Sequence, residues 1–197
     1  MGDKYGVDQD PYCFPGTSIL ANRLGIKNQP DLTAAELHFT QFRADQYLPD
    51  FGDFSFTTFK QIHYWLFQDL YEWAGVVRTV DIGKGRTRFA NVCFVETEAN
   101  KLFRQLENEH FLVSTPEQIY PQRFAHYYSE LNVIHPFRDG NGRAQRILFE
   151  TLAIHAGHEI HWNKLNANDW IGANIAAYHC DLAPLTAQMI LALIKIQ

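Results

Sequence analysis

His135-Pro136-Phe137-Arg138-Asp139-Gly140-Asn141-Gly142-Arg143-Ala144-Gln145-Arg146 decides how this chain is read. The stretch sits between two apolar helical patterns. Gly140 and Gly142 free the backbone for conformations that side chains block, so successive N–H groups can turn inward as a concave anion site. A helix beginning at about Asn141 adds the positive end of its dipole. Arg143 and Arg146 are three apart and share a face of that helix, and their forks suit phosphate oxygens. Asp139 is a hard oxygen ligand of the kind that holds Mg²⁺ beside a nucleotide. His135 is of the type that exchanges protons near neutral pH. Asp-Gly-Asn-Gly alone would be ordinary turn chemistry between helices. The convergence of base, acid, nest and two arginines favours a phosphate-binding loop with its own base over residues 135–146.

Working outward, residues 1–16 read as an irregular arm rich in Gly, Pro and Asp. A short helix is predicted from Thr17 to Leu24, ended by Gly25. Thr33-Ala34-Ala35-Glu36 reads as a capping box opening a helix to about Tyr47. Ser55 caps a helix from Phe56 to Trp73, with Phe59, Ile62, Leu66, Leu70 and Trp73 at helical spacing and Gly75 as the stop. Tyr71 and Trp73 read as core on that face. Val76 to Ile82 is β-branched and alternating, Gly83-Lys84-Gly85-Arg86 turns, and Arg88 to Val95 reads as extended again, so a hairpin is predicted over residues 76–95. Glu96 to Glu109 is helical. Thr115-Pro116-Glu117-Gln118 reads as a second capping box, opening a helix with Phe124, Tyr127, Tyr128 and Leu131 on its apolar side, closed before Pro136. A helix from Asn141 to Ala156 stops at Gly157, and two or three more fill the remainder. The last of them ends in the apolar run from Met189 to Ile196, and Asp181 reads as an N-cap. The expected architecture is all-α, a helical bundle with one β-hairpin, in a single domain over residues 1–197.

Composition narrows the function. The chain has 197 residues, 46% of them hydrophobic and 14% aromatic, which is enough for a bulky core. A net charge of −5 argues against direct nucleic-acid binding and against a basic membrane-surface protein. Cys13, Cys93 and Cys180 are odd in number and widely spaced, which suits reduced thiols. No apolar run reaches the length of a membrane span, and Met1-Gly2-Asp3-Lys4-Tyr5 lacks the apolar core of a secretion signal. The expected location is the bacterial cytoplasm, with delivery into another cell left open. His155, His158 and His161 invite a metal reading, but Gly157 breaks the helix between them and removes the shared face. Lys84, Arg86 and Arg88 form a basic hairpin tip that spacing alone reads as a solvated turn.

The 135–146 stretch resembles the Fic signature, HxFx[DE]GNGRxxR, with every specified position filled. The likeness extends over Asp10-Pro11-Tyr12 to Pro15-Gly16-Thr17, Asn22-Arg23-Leu24-Gly25-Ile26, His63 to Phe67, Asp69-Leu70-Tyr71-Glu72-Trp73-Ala74-Gly75 and Ile82-Gly83-Lys84-Gly85. The resemblance implies a Fic fold and transfer of AMP from ATP to a Tyr, Thr or Ser hydroxyl of a target protein. It implies His135 as base, Asp139 as the Mg²⁺ ligand, and Gly140, Asn141 and Gly142 around the phosphates, with Asn141 on the α-phosphate. Arg143 would orient the phosphate tail and Arg146 pair with the γ-phosphate. It also turns the hairpin into a target-docking flap, Asp81 to Asn91, in which Ile82, Gly83, Lys84, Gly85 and Arg86 hold the target by strand addition. Phe137 is expected to anchor the loop in the core. Other members transfer UMP or phosphocholine, and a catalytically idle interaction module is the alternative from another class. The intact glycines argue against the kinase branch of the fold. Stand-alone chains of this kind resemble the toxin half of a toxin–antitoxin pair, with a topoisomerase subunit such as gyrase as a target candidate. No Ser or Thr here has Glu four residues on. The inhibitory [ST]xxxE[GN] helix is therefore expected on a separate small antitoxin.

Overall fold

The computed structural model describes residues 10–196, so the first nine residues of the expected irregular arm and Gln197 lie outside the described residues. Residues 10–28 run as turns pinned by an isolated bridge between Cys13 and Leu20. The short helix expected over Thr17–Leu24 does not form. Asn22 explains why: its side-chain amide donates to the carbonyls of Leu20 (2.9 Å) and Ile26 (2.8 Å) and its oxygen accepts from Ile26 N–H (2.9 Å). Such local bonds compete with the helix.

Helix α1 spans Gln29–Asp45. It starts ahead of the Thr33 box because Asn28 caps it, accepting from Asp31 N–H at 3.0 Å, with Pro30 in the first turn. Helix α2 spans Phe56–Phe67 under the Ser55 cap, shorter than expected. Residues 68–75 fold back on it as turns, and Gly75 donates its N–H to His63 Nδ1 at 2.9 Å. Gly75 has φ +74°, and a Cβ there would lie 2.8 Å from Tyr64 Cβ and 2.9 Å from the Lys60 carbonyl. Glycine is what lets the chain turn so close to α2. Tyr71 and Trp73 are stacked at 4.4 Å within this turn, not on a helix face.

The predicted hairpin over residues 76–95 shrinks to β1 (Gly83–Lys84) and β2 (Thr87–Arg88), antiparallel with Gly83 opposite Arg88. Beyond these strands the arms are joined by one backbone bond, Phe89 N–H to the Ile82 carbonyl at 3.2 Å, and by the side chains of Arg78 and Asn91. Helix α3 covers Val95–Asn108 and α4 covers Tyr120–Ile134. The Thr115 box is a turn before α4: Ile119 and Tyr120 N–H both bond the Pro116 carbonyl at 3.0 Å. Helix α5 covers Asn141–His155, followed by Gly157 at φ +81°. Then come β3 (His158–Ile160), α6 (Ala167–Tyr178), α7 (Ala183–Ala192) and β4 (Leu193–Lys195). Asp181 accepts from Ala183 N–H at 3.1 Å, one residue before the α7 N-cap, Leu182. The end of the apolar run from Met189 is a strand, with His158 opposite Lys195 and Ile160 opposite Leu193. This second strand pair departs from the single-hairpin expectation.

The core lies where α4 and α5 meet α2, α3 and α7. Phe59, Phe67, Phe124, Phe137, Phe149 and Leu152 are buried in it. Phe137 anchors the loop between α4 and α5, its ring 5.1 Å from Phe59 and 3.9 Å from the His63 ring, the latter stacked.

Candidate active site

Helix α4 ends where His135 turns left-handed, φ 48° and ψ 63°. Left-handed backbone at a residue with a Cβ costs about 1–3 kcal/mol and persists only where neighbours hold it. Here they do. Arg78 Nε donates to the His135 carbonyl at 2.9 Å, Arg78 N–H donates to the Pro136 carbonyl at 2.9 Å, and the Phe89 ring stacks on the imidazole at 3.7 Å. His135 Nδ1 lies 3.1 Å from the Asn132 carbonyl. A carbonyl only accepts, so Nδ1 carries the proton and the neutral ring has its lone pair on Nε2.

The loop then closes on itself. Asn141 accepts from Phe137 N–H through Oδ1 and donates to the Phe137 carbonyl through Nδ2, both at 2.8 Å. Its side chain is thus engaged in bracing the loop, which leaves the backbone N–H as its contribution to an anion site. Gly140 has φ +79°, and a Cβ would fall 2.4 Å from two carbons of the buried Phe67 ring. Gly142 differs: it is helical, and a Cβ would meet nothing within 4 Å. Its glycine does not relieve strain. It leaves open space over the first turn of α5, a helix end with no side-chain cap.

Around that end stand the charged groups. Asp139 Oδ1 accepts from Gly140 N–H at 2.6 Å and lies 3.9 Å from Arg143 Nη2. Arg143 also bonds Glu36 Oε2 on α1 at 3.0 Å and rides over the Phe67 ring. Glu36 in turn accepts from the Tyr71 hydroxyl. Arg146 is exposed, over the Trp162 ring, beside a cavity of about 230 Å³ lined by Trp162, Leu165, Trp170 and Ile171. The two arginines thus meet different neighbours: Arg143 is tied to Glu36 on α1 and lies over Phe67 of α2, whereas Arg146 lies over Trp162.

Four supporting residues escaped sequence reasoning. His63 is fully buried, accepts from Gly75 N–H through Nδ1, and so donates from Nε2 to the Asp139 carbonyl at 2.9 Å. Burial pushes its pKa down to about 3, helped by the Arg143 charge and opposed by the Asp139 contacts. It is a neutral strut. Arg138, inside the motif, points away from the anion site and pairs in the core with Asp10. Glu36 supports Arg143, and Arg78 supports His135. Arg78 alone carried a sequence signal, a single charge in Val76-Val77-Arg78-Thr79-Val80.

The hairpin stands beside the loop through the Phe89–His135 stack. Lys84, Gly85 and Arg86 are exposed at its tip, and Gly85 has φ +62°. A Cβ on Gly83 would come 3.0 Å from the Thr87 carbonyl. Ile82 is buried and its carbonyl accepts from Phe89 N–H at 3.2 Å, so its side chain anchors the hairpin. The three spaced histidines go to different partners: His155 against Phe54, His158 stacked on Tyr120 at 3.9 Å, and His161 beside Glu159.

The Fic/DOC family matches residues 53–153. "Probable protein adenylyltransferase Fic" of Salmonella typhimurium is 41% identical over 95% of this chain and 94% of its own. The Escherichia coli protein of the same name is 42% identical over 94% and 92%. Among solved structures, the N-terminal Fic domain of a VirB-translocated effector from Bartonella quintana, with bound ADP, superposes with a TM-score of 0.86 at 26% identity. That match covers 94% of this chain and 95% of the other.

Proposed function

The chain belongs to the Fic/DOC family, and on that premise we propose that it is a protein adenylyltransferase moving AMP from ATP to a hydroxyl side chain of a target protein. The observation that carries the reading is the uncapped start of α5 under the open space at Gly142, with Asp139, Arg143 and His135 around it. A triphosphate placed there meets backbone N–H groups and the helix dipole at once. His135 Nε2 takes the proton of the attacking hydroxyl. The hydroxyl oxygen bonds to the α-phosphorus, the bond from that phosphorus to the bridging oxygen breaks, and pyrophosphate leaves. Arg143, held by Glu36, and Arg146 neutralise the phosphate tail. Most of the acceleration is positioning and charge.

Mg²⁺ fits the donor set. The described residues hold no cluster of three or more metal-ligating side chains, and Mg²⁺ typically takes one or two carboxylates together with substrate phosphates. Asp139 is the carboxylate that would hold it, where it offsets phosphate charge. The β1 edge of the hairpin would take the target as an added strand. In a bacterial cytoplasm the activity would be restrained by a small antitoxin whose Glu occupies Arg146, and a topoisomerase subunit such as gyrase is a target to try first.

The test is to incubate the chain with bacterial lysate and a panel of labelled ATP, UTP and CDP-choline, then locate the modification by mass spectrometry. AMP on a Tyr, Thr or Ser of one protein supports the reading. Transfer of another group replaces the donor, and no transfer to any protein overturns it.

A further inference from the structure

Arg78 has no place in the chemistry just described, yet it is among the most deeply buried side chains of the fold, 1% exposed. A buried guanidinium normally sits against a carboxylate. Here the ion pair is loose and carries no hydrogen bond: Asp81 Oδ1 lies 3.7 Å from Nη1, and Asp81 itself takes Val92 N–H at 2.7 Å and Asn91 Nδ2 at 2.8 Å. Arg78 gives its hydrogen bonds to main-chain carbonyls, and these fall into two groups. Nη1 donates to Val80 at 2.7 Å and Nη2 to Ala90, the two arms of the hairpin. Nε donates to His135 at 2.9 Å and Nη2 reaches Ile134 at 3.4 Å, the last turn of α4 and its left-handed cap. The Ala90 N–H to Val133 carbonyl bond at 3.0 Å runs between the same two elements.

We infer that Arg78 is a positioning residue that makes the hairpin and the His135 turn one rigid unit, so that a target strand docked on the hairpin is held in register with the imidazole. The planar fork is what the role needs. Its donors point in fixed directions and reach both elements together, and a lysine ammonium, as a single point, cannot. The consequence is specific. Loosening Arg78 misplaces a protein hydroxyl relative to Nε2, whereas the phosphate site at the start of α5 is built from other residues.

This inference rests on the adenylyltransferase reading, and the experiment separates the two. If the wild-type chain transfers no AMP, the functional reading fails. Given wild-type transfer, Arg78→Lys is compared with it for ATP affinity and for kcat and KM toward the protein target. A displacement of about 1 Å costs on the order of 100-fold in rate. The expected result is a fall of that size in kcat with ATP affinity unchanged. Near wild-type kcat, or parallel losses in kcat and ATP affinity, overturns the inference. A second measurement needs no variant: amide hydrogen exchange of the wild-type chain. The amides of Phe89 and Ala90 should share one opening free energy with those of Arg78 and His135. Hairpin amides that exchange independently of the His135 turn contradict it.

Discussion

Asp10 and Arg138 lie 128 positions apart and meet in a buried ion pair, each side chain 2% exposed, with Arg138 Nε on Asp10 Oδ2 at 2.6 Å. Asp10 also accepts from Tyr12 N–H at 3.0 Å. The pair ties the N-terminal segment to the middle of the catalytic loop. Asp10→Ala removes this carboxylate from the buried guanidinium, and breaking a buried pair in this way costs about 3–5 kcal/mol. Urea unfolding should show a loss of that size. A loss below about 1 kcal/mol, the range of exposed pairs, would mean that the pair is not the tie.

The two motif glycines should respond in opposite ways. Gly140→Ala forces a Cβ into the Phe67 ring at a positive φ and should destabilise by about 2 kcal/mol or more. Gly142→Ala meets nothing and should be neutral or stabilising, by up to about 1 kcal/mol from helix propensity. Its Cβ nevertheless enters the space proposed for phosphate, so ATP affinity should fall. Thermal melts without nucleotide, set beside ATP titrations, check both signs. Unchanged ATP affinity in Gly142→Ala would remove that space from the binding site.

His63 makes stability depend on acid. Its folded pKa, about 3, lies below the unfolded histidine value near 6.5, so the unfolded chain binds the extra proton first. Its contribution is complete above about pH 6.5 and is lost as pH falls through that value toward 3, at up to about 1.4 kcal/mol per pH unit. The wild-type melting temperature should therefore drop more steeply between pH 7 and pH 4.5 than that of His63→Leu. Equal slopes would show that His63 is not held neutral.

Shortening the Gly83–Arg88 turn should hurt modification of a protein target much more than automodification or ATP binding, because β1 is the edge proposed to dock the target. Equal loss of all three would indicate a folding role for the hairpin.

The helices around the loop were legible because Ser55, Pro136 and Gly157 punctuate strong apolar periodicity, and because the motif residues are contiguous in the chain. What stayed hidden depends on contacts between distant segments. His63 reads as one more polar residue on a helix, and only folding sets its ring between Gly75 and Asp139. Arg138 falls at an unspecified position of the signature, and only folding brings it to Asp10. Asn141 reads as a phosphate contact, whereas its amide fits the Phe137 backbone. The strand at Leu193–Lys195 reads in sequence as the end of the preceding helix because an apolar run carries no boundary of its own, and its partner at His158–Ile160 lies more than thirty residues earlier.

The central claim is in-line AMP transfer with His135 as the base. It is tested most directly by offering a modifiable target ATP labelled at the α- or the γ-phosphate, with the wild-type chain and with His135→Ala, and measuring ATP affinity alongside. The account predicts target labelling from the α-position and none from the γ-position. It also predicts a fall of about 10²–10⁴-fold or more in His135→Ala, with ATP affinity retained. Labelling from the γ-position, or near-normal transfer by His135→Ala, would contradict it.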